Sequence, residues 1–157
     1  MKDVFLSAHG TFRTKYHIVW ATKYRRRILN PDVGSFISKL LDDIVNTMPG
    51  CKIVERNILD DHIHLLAVIP PKYAVKDVVG RMKGESAAIL KSCHPLSAKL
   101  SRGDHLWSRG YFVSTVGNSE KEIITYIRQQ RETVRTEKES LTSNHEHKCE
   151  PMTDRAK

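Results

Sequence analysis

Cysteine is scarce in this 157-residue chain, and the three present, Cys51, Cys93 and Cys149, are odd in number and far apart. They fit neither a disulfide framework nor a CxxC zinc knuckle, and they point to a reducing, cytoplasmic compartment. No apolar run approaches the ~20 residues of a membrane helix, so no membrane association is expected. The opening MKDVFLSAHG lacks a charged segment followed by an apolar one, which argues against a secretory signal. A Walker A loop is missing too, since GRMKGES does not match it. Between Phe12 and Arg27 there is no acidic residue at all.

What fills that stretch is positive charge: Arg13, Lys15, Lys23, Arg25, Arg26 and Arg27, interleaved with Phe12, Tyr16, Trp20 and Tyr24. Cations pair with phosphates and aromatic rings stack on exposed bases, a combination suited to single-stranded nucleic acid. A net charge of +8 and a pI near 9.5 point the same way. A solvated strand and turn with core aromatics is the plainer alternative.

The length suits one domain, expected over residues 1–139, followed by a polar, aperiodic and disordered tail over 140–157. TKYHIVWAT (14–22) alternates as a strand, with Tyr16, Ile18 and Trp20 on one face and His17, Val19 and Ala21 on the other. A basic loop closes at Asn30-Pro31-Asp32, and residues 35–48 carry apolar side chains at helical spacing. Strands follow at 51–59 and from the histidines to Pro70, then a helix at 74–92. A loop (93–110), a strand at 111–116 and a last helix at 119–139 complete the order, Ser119 and Glu122 giving that helix a capping-box pattern. Without the last helix this is a split βαβ arrangement: an α+β, ferredoxin-like antiparallel sheet with the first and third strands central.

DDHIHLLAVIP (60–70) would then be a central strand with His62 and His64 on the same face as Leu66 and Val68. Two imidazoles aimed the same way can hold a metal or can be satisfied sheet histidines. H-x-H is weak by itself: about 0.4 such pairs arise by chance at this histidine content, and His145-Glu146-His147 in the tail also matches. On the last helix Gln130 falls within the stripe of Ile123, Ile127 and Val134, where an amide needs hydrogen bonds or a metal. Two imidazoles and a carboxamide leave positions for phosphate and water, which suits Mg²⁺ or Mn²⁺. Tyr126, one turn before Gln130, is then a candidate nucleophile activated by the ion. Arg128, Arg131 and Arg135 share one side of that helix, where they could hold DNA phosphates or simply be solvated.

Four blocks in order, YHIVWATKYRRRIL, DDHIHLLAVIP, LWSRGYFVSTVG and YIRQQ, resemble the single-tyrosine HUH transposases of bacterial insertion sequences, the TnpA type of the insertion-sequence 200/605 family. The resemblance runs from about Lys15 to Gln130. It implies His62, His64 and Gln130 as ligands of a divalent metal and Tyr126 as the nucleophile. It also implies nicking and rejoining of single-stranded DNA at element ends through a 5′-phosphotyrosine, with subterminal hairpins recognised by the protein. The resemblance further implies a homodimer whose tyrosine helix can complete the partner's site, with Gly117-Asn118 as the expected hinge. The family commonly has Pro-Asp before the first histidine where this chain has Asp60-Asp61, so Asp61 keeps the position of a histidine-orienting carboxylate. Two alternatives stand beside this reading: a domesticated relative cleaving repeated palindromes, and a non-catalytic module binding single-stranded nucleic acid.

Overall fold

The structure, a computed structural model, describes residues 5–7, 10–12, 14–93, 105–117 and 121–129. The expected tail over 140–157, Asn118 and Ser119 lie outside these residues. Two short strands open the chain, β1 (Phe5–Ser7) and β2 (Gly10–Phe12), paired antiparallel with Phe5 and Phe12 stacked at 5.7 Å between ring centroids. This hairpin leaves no signal in the sequence pattern, because three-residue strands offer too little alternation to register as a period.

The main sheet comprises β3 (Lys15–Ala21), β4 (Lys52–Ile58), β5 (His62–Val68) and β6 (Phe112–Thr115) in the order β4-β5-β3-β6, antiparallel throughout. With helices α1 (Pro31–Asn46) and α2 (Val75–Cys93) in the two crossovers, this is the ferredoxin-like split βαβ topology, and β3 and β5 are central as expected.

Helix α1 begins earlier than the periodic pattern suggested. Asn30 does not close a turn: its side-chain oxygen accepts from the Val33 amide at 3.0 Å, and Pro31 takes the first helical position, where its missing N–H costs nothing. Asp32 adds negative charge at the positive end of the helix. The buried stripe Val33, Ile37, Leu41, Ile44 and Val45 then packs on Ile18, Trp20, Ile63, Leu65 and Ala67 of the central strands. After α1 the chain turns at Gly50, whose φ of 89° is strained for other residues; a Cβ there would also meet Pro70 at 2.9 Å.

Helix α2 buries Val78, Val79, Met82 and Leu90 in the same core. The segment between α2 and β6 was expected to be plain loop. Its residues 105–111 instead fasten to the domain: Trp107 forms an isolated bridge to Thr22 and its indole N–H donates to buried Ser86 at 3.1 Å. Lys83 donates to the carbonyls of Ser108, Arg109 and Gly110 at 2.7, 3.1 and 2.9 Å.

The opposite sheet face receives the last helix, α3, described over residues 121–129. Its Ile127 is buried with Leu66 of β5 and Val116, flanked by Ile123 and Ile124. Strand β5 is therefore covered on both faces. Asn57 of β4 ties α3 down, its side-chain amide donating to the Ile127 carbonyl at 2.8 Å. No described helix is long and apolar enough to cross a membrane.

Candidate active site

The histidines and the tyrosine meet on the α3 face of the sheet. His62 and His64 alternate with Ile63, so apolar packing of Ile63 in the core turns both imidazoles outward to α3. Their ring centroids are 5.0 Å apart. Tyr126, about half exposed at 49 %, lies edge-on to His64 with 6.1 Å between centroids. Its neighbour Ile127 is the residue buried against Leu66, so the same anchoring that docks α3 presents the phenol.

A third histidine joins them. His17 of β3 is buried, its Nε2 lies 3.0 Å from His64 Nδ1, and its ring is 6.5 Å from that of Tyr126. His17 lies on the strand face that the alternation of β3 predicts, and its pairing with His64 is new at the level of structure. The usable signal was the topology itself: a ferredoxin-like sheet puts the first strand beside the third, and a polar residue on the shared face must find a partner there.

Both candidate ligands have their Nδ1 occupied. His62 Nδ1 is 2.5 Å from Asp61 Oδ1, and His64 Nδ1 faces His17. Asp61 in turn is held by Arg25 at 2.9 Å. That leaves Nε2 on each ring for something else, and His64 Nε2 is buried with no hydrogen-bond partner. An orphaned imidazole nitrogen in this position fits a metal donor, because leaving it unpaired is costly while coordination satisfies it. Burial, reinforced by the positive charge that His62 and His17 would carry, pushes the His64 pKa down to about 4. The ring is consequently neutral at physiological pH, the form that ligates. Among the described residues no group of three His, Cys, Asp or Glu side chains converges as a metal centre, and Gln130, the expected third ligand, lies outside them.

The basic residues divide. Lys23 and Arg25 lie on the short 3-10 turn (Lys23–Arg25) beside Asp61, and Arg26 and Arg27 follow directly. Lys15, expected to contact DNA, is only 3 % exposed, at the start of β3 opposite Val68 of β5. Arg128 pairs with Glu55 of β4, with contacts of 3.0 and 2.6 Å, and its side chain stays largely exposed. Arg13 and Arg131 lie outside the described residues.

A ferredoxin-like sheet carrying paired histidines and a tyrosine helix on one face defines an α+β protein with an imidazole–phenol site. The chain belongs to the IS200-like transposase family, whose model matches residues 10–130. A transposase for insertion sequence element IS200 from Salmonella typhimurium is 38% identical over 137 residues, covering 84% of this chain and 86% of the relative. The ISDra2 transposase TnpA of Deinococcus radiodurans is 30% identical over 122 residues, 77% of this chain and 86% of the relative. A crystal structure assigned as a transposase from D. radiodurans superimposes with a TM-score of 0.64 at 32% identity, covering 80% of this chain and 98% of that one. A REP-associated tyrosine transposase bound to a REP hairpin shares the fold, with a TM-score of 0.57 at 13% identity over 73% of this chain and 64% of that one.

Proposed function

We propose that this transposase nicks and rejoins single-stranded DNA at insertion-sequence ends, with Tyr126 as nucleophile. The approach of Tyr126 to His64 carries the reading, because it sets a phenol beside an imidazole that is itself paired with His62, both rings having their Nδ1 atoms already engaged. The phenolic oxygen bonds to the scissile phosphorus and the bond from phosphorus to the 3′-oxygen breaks. The phenol's proton is lost to solvent and the departing oxygen gains one, leaving a 5′-phosphotyrosine and a free 3′-OH. Attack by another 3′-OH reverses the step on a new partner, so the phosphodiester is conserved and no nucleotide cofactor is needed.

His62, His64 and Gln130 would hold a divalent ion, Mg²⁺ or Mn²⁺, which when bound polarises the phosphate and stabilises developing charge. Asp61 orients His62 and His17 orients His64, fixing which nitrogen each ring presents. The basic turn from Lys23 to Arg27 takes phosphates beside the site, the cation Arg25 being shared with Asp61. Hairpin stems have a second basic surface available, the groove of about 420 Å³ between α2 and residues 105–111, lined by Lys76, Lys91, His105 and Arg109. The working assembly in this reading is a homodimer: β6 is an edge strand with Phe112 and Val113 exposed and Tyr111 exposed just before it, and Gly117 would let the tyrosine helix reach a partner's site.

Incubating the protein with single-stranded element ends and Mn²⁺ should give a denaturation-resistant protein–DNA adduct that chelation prevents. Duplex ends should give none. A protein that binds single strands equally with and without chelator and never forms an adduct is a binding module instead.

A further inference from the structure

Of the four aromatics that the sequence interleaves with basic residues, three are committed to the fold. Trp20 is 2 % exposed, Tyr16 packs against the main core, and Phe12 stacks on Phe5. Tyr24 is different: it is 77 % exposed. Its backbone is also held in the left-handed region at φ 61°, ψ 23°, and Arg25 follows at φ 54°. Glycine or asparagine normally fills such positions, since a bulky side chain there is strained.

The strain is imposed by the surroundings. The Lys23 amide donates to the Leu106 carbonyl at 2.8 Å, and buried Thr22 donates its hydroxyl to the Arg26 carbonyl at 2.7 Å. Arg26 Nε returns to the Lys23 carbonyl at 3.2 Å. Arg25 reaches Asp61 at 2.9 Å, and Asp61 holds His62. An exposed ring is thus fixed on a rigid turn one ion pair away from the imidazole site. Lys23 Nζ lies over the ring at 4.9 Å from its centre and Arg26 Cζ over it at 6.0 Å, so a stacking base takes the place of these cations on the ring face as they pass to its phosphates.

We propose that Tyr24 is a stacking platform for one unpaired base of single-stranded DNA, with Lys23 and Arg26 taking the adjoining phosphates and Arg25–Asp61 fixing the platform relative to His62. The proposal rests on the single-stranded DNA reading above and adds a base-binding subsite to it. A π-face recognises any base, so the platform holds the strand without selecting its sequence. A duplex offers no free base face and gains nothing from it.

The test uses a short oligo-dT with a central 2-aminopurine, chelator present so that binding is read without chemistry. Wild-type protein should quench the 2-aminopurine, and Tyr24→Phe should match it because the ring face is kept. Tyr24→Ala and Tyr24→Gly should lose the quenching and bind roughly 5- to 100-fold more weakly. Tyr24→Gly should melt no lower than wild type, since glycine accepts the positive φ; weak binding by that variant cannot then be blamed on misfolding. Unchanged quenching and affinity in Tyr24→Ala or Tyr24→Gly would overturn the platform, as would a loss in Tyr24→Phe as large as in Tyr24→Ala. Absence of any quenching by wild-type protein would overturn it too. Quenching that depends on Tyr24 in a protein forming no covalent adduct would keep the platform and sink the strand-transfer reading instead.

Discussion

His17 Nε2 sits 3.0 Å from His64 Nδ1 across the two central strands, and this contact decides what His64 can do. If His64 presents its Nε2 lone pair, its proton must reside on Nδ1 and be donated to His17. Replacing His17 with alanine should therefore weaken Mn²⁺ binding about 10- to 100-fold, measured by titration calorimetry. His17→Gln, which can restore an acceptor, should recover part of the loss. Equal Mn²⁺ affinity in wild type and His17→Ala would show that His17 merely packs.

Asn57 should matter for the helix that carries Tyr126. Its amide is the buried donor to the Ile127 carbonyl, one residue from the tyrosine. Asn57→Leu strands that carbonyl at a local cost of about 1–3 kcal/mol. Amide hydrogen exchange over residues 121–129 should accelerate, while exchange in the central strands stays slow. Uniform acceleration across the sheet would mean that Asn57 supports the whole fold and not the docking of α3.

Acid should destabilise the chelated protein as pH falls below about 6.5. An unfolded chain protonates His64 near 6.5, whereas the folded chain resists until about 4. His17, pushed down by burial, adds to the effect with the same sign. Between those values the unfolded state binds more protons, so stability present above pH 6.5 is lost progressively as pH falls to about 4. Urea midpoints measured across that window should fall, and His64→Asn should flatten the slope. A midpoint that rises on acidification would contradict burial of neutral imidazoles.

Lys83 should anchor the approach to β6, since its ammonium serves three successive carbonyls. Lys83→Met keeps the length and removes the donors. A loss of about 2 kcal/mol in denaturant unfolding is expected, from charge-assisted hydrogen bonds left unmade. A variant as stable as wild type would show that water replaces the ammonium without penalty.

Much of the fold was legible because it is written in period. The alternation of Tyr16, Ile18 and Trp20 against His17 and Val19 assigned the faces of β3 correctly, and the apolar run after His62 marked a strand buried on both sides. Local chemistry was less transparent. Asn30-Pro31 reads equally as a turn or as a cap with proline at the first helical position, and only the packing of Val33 and Ile37 separates the two. The pairing of His17 with His64 depends on strand register, which no local pattern encodes. Charge is visible in the sequence at Lys15 and Arg128, whereas the burial of Lys15 and the Glu55 partner of Arg128 are not. The strain at Tyr24 is also a tertiary property, since nothing in KYRRR requires a positive φ.

The most direct measurement is mass spectrometry of the protease-digested covalent complex formed with single-stranded element ends and Mn²⁺. A nucleotide-bearing peptide modified at Tyr126 is expected, with no adduct from Tyr126→Phe at unchanged melting temperature. An adduct that maps to another residue, or that persists in Tyr126→Phe, would contradict the assignment of Tyr126 as nucleophile.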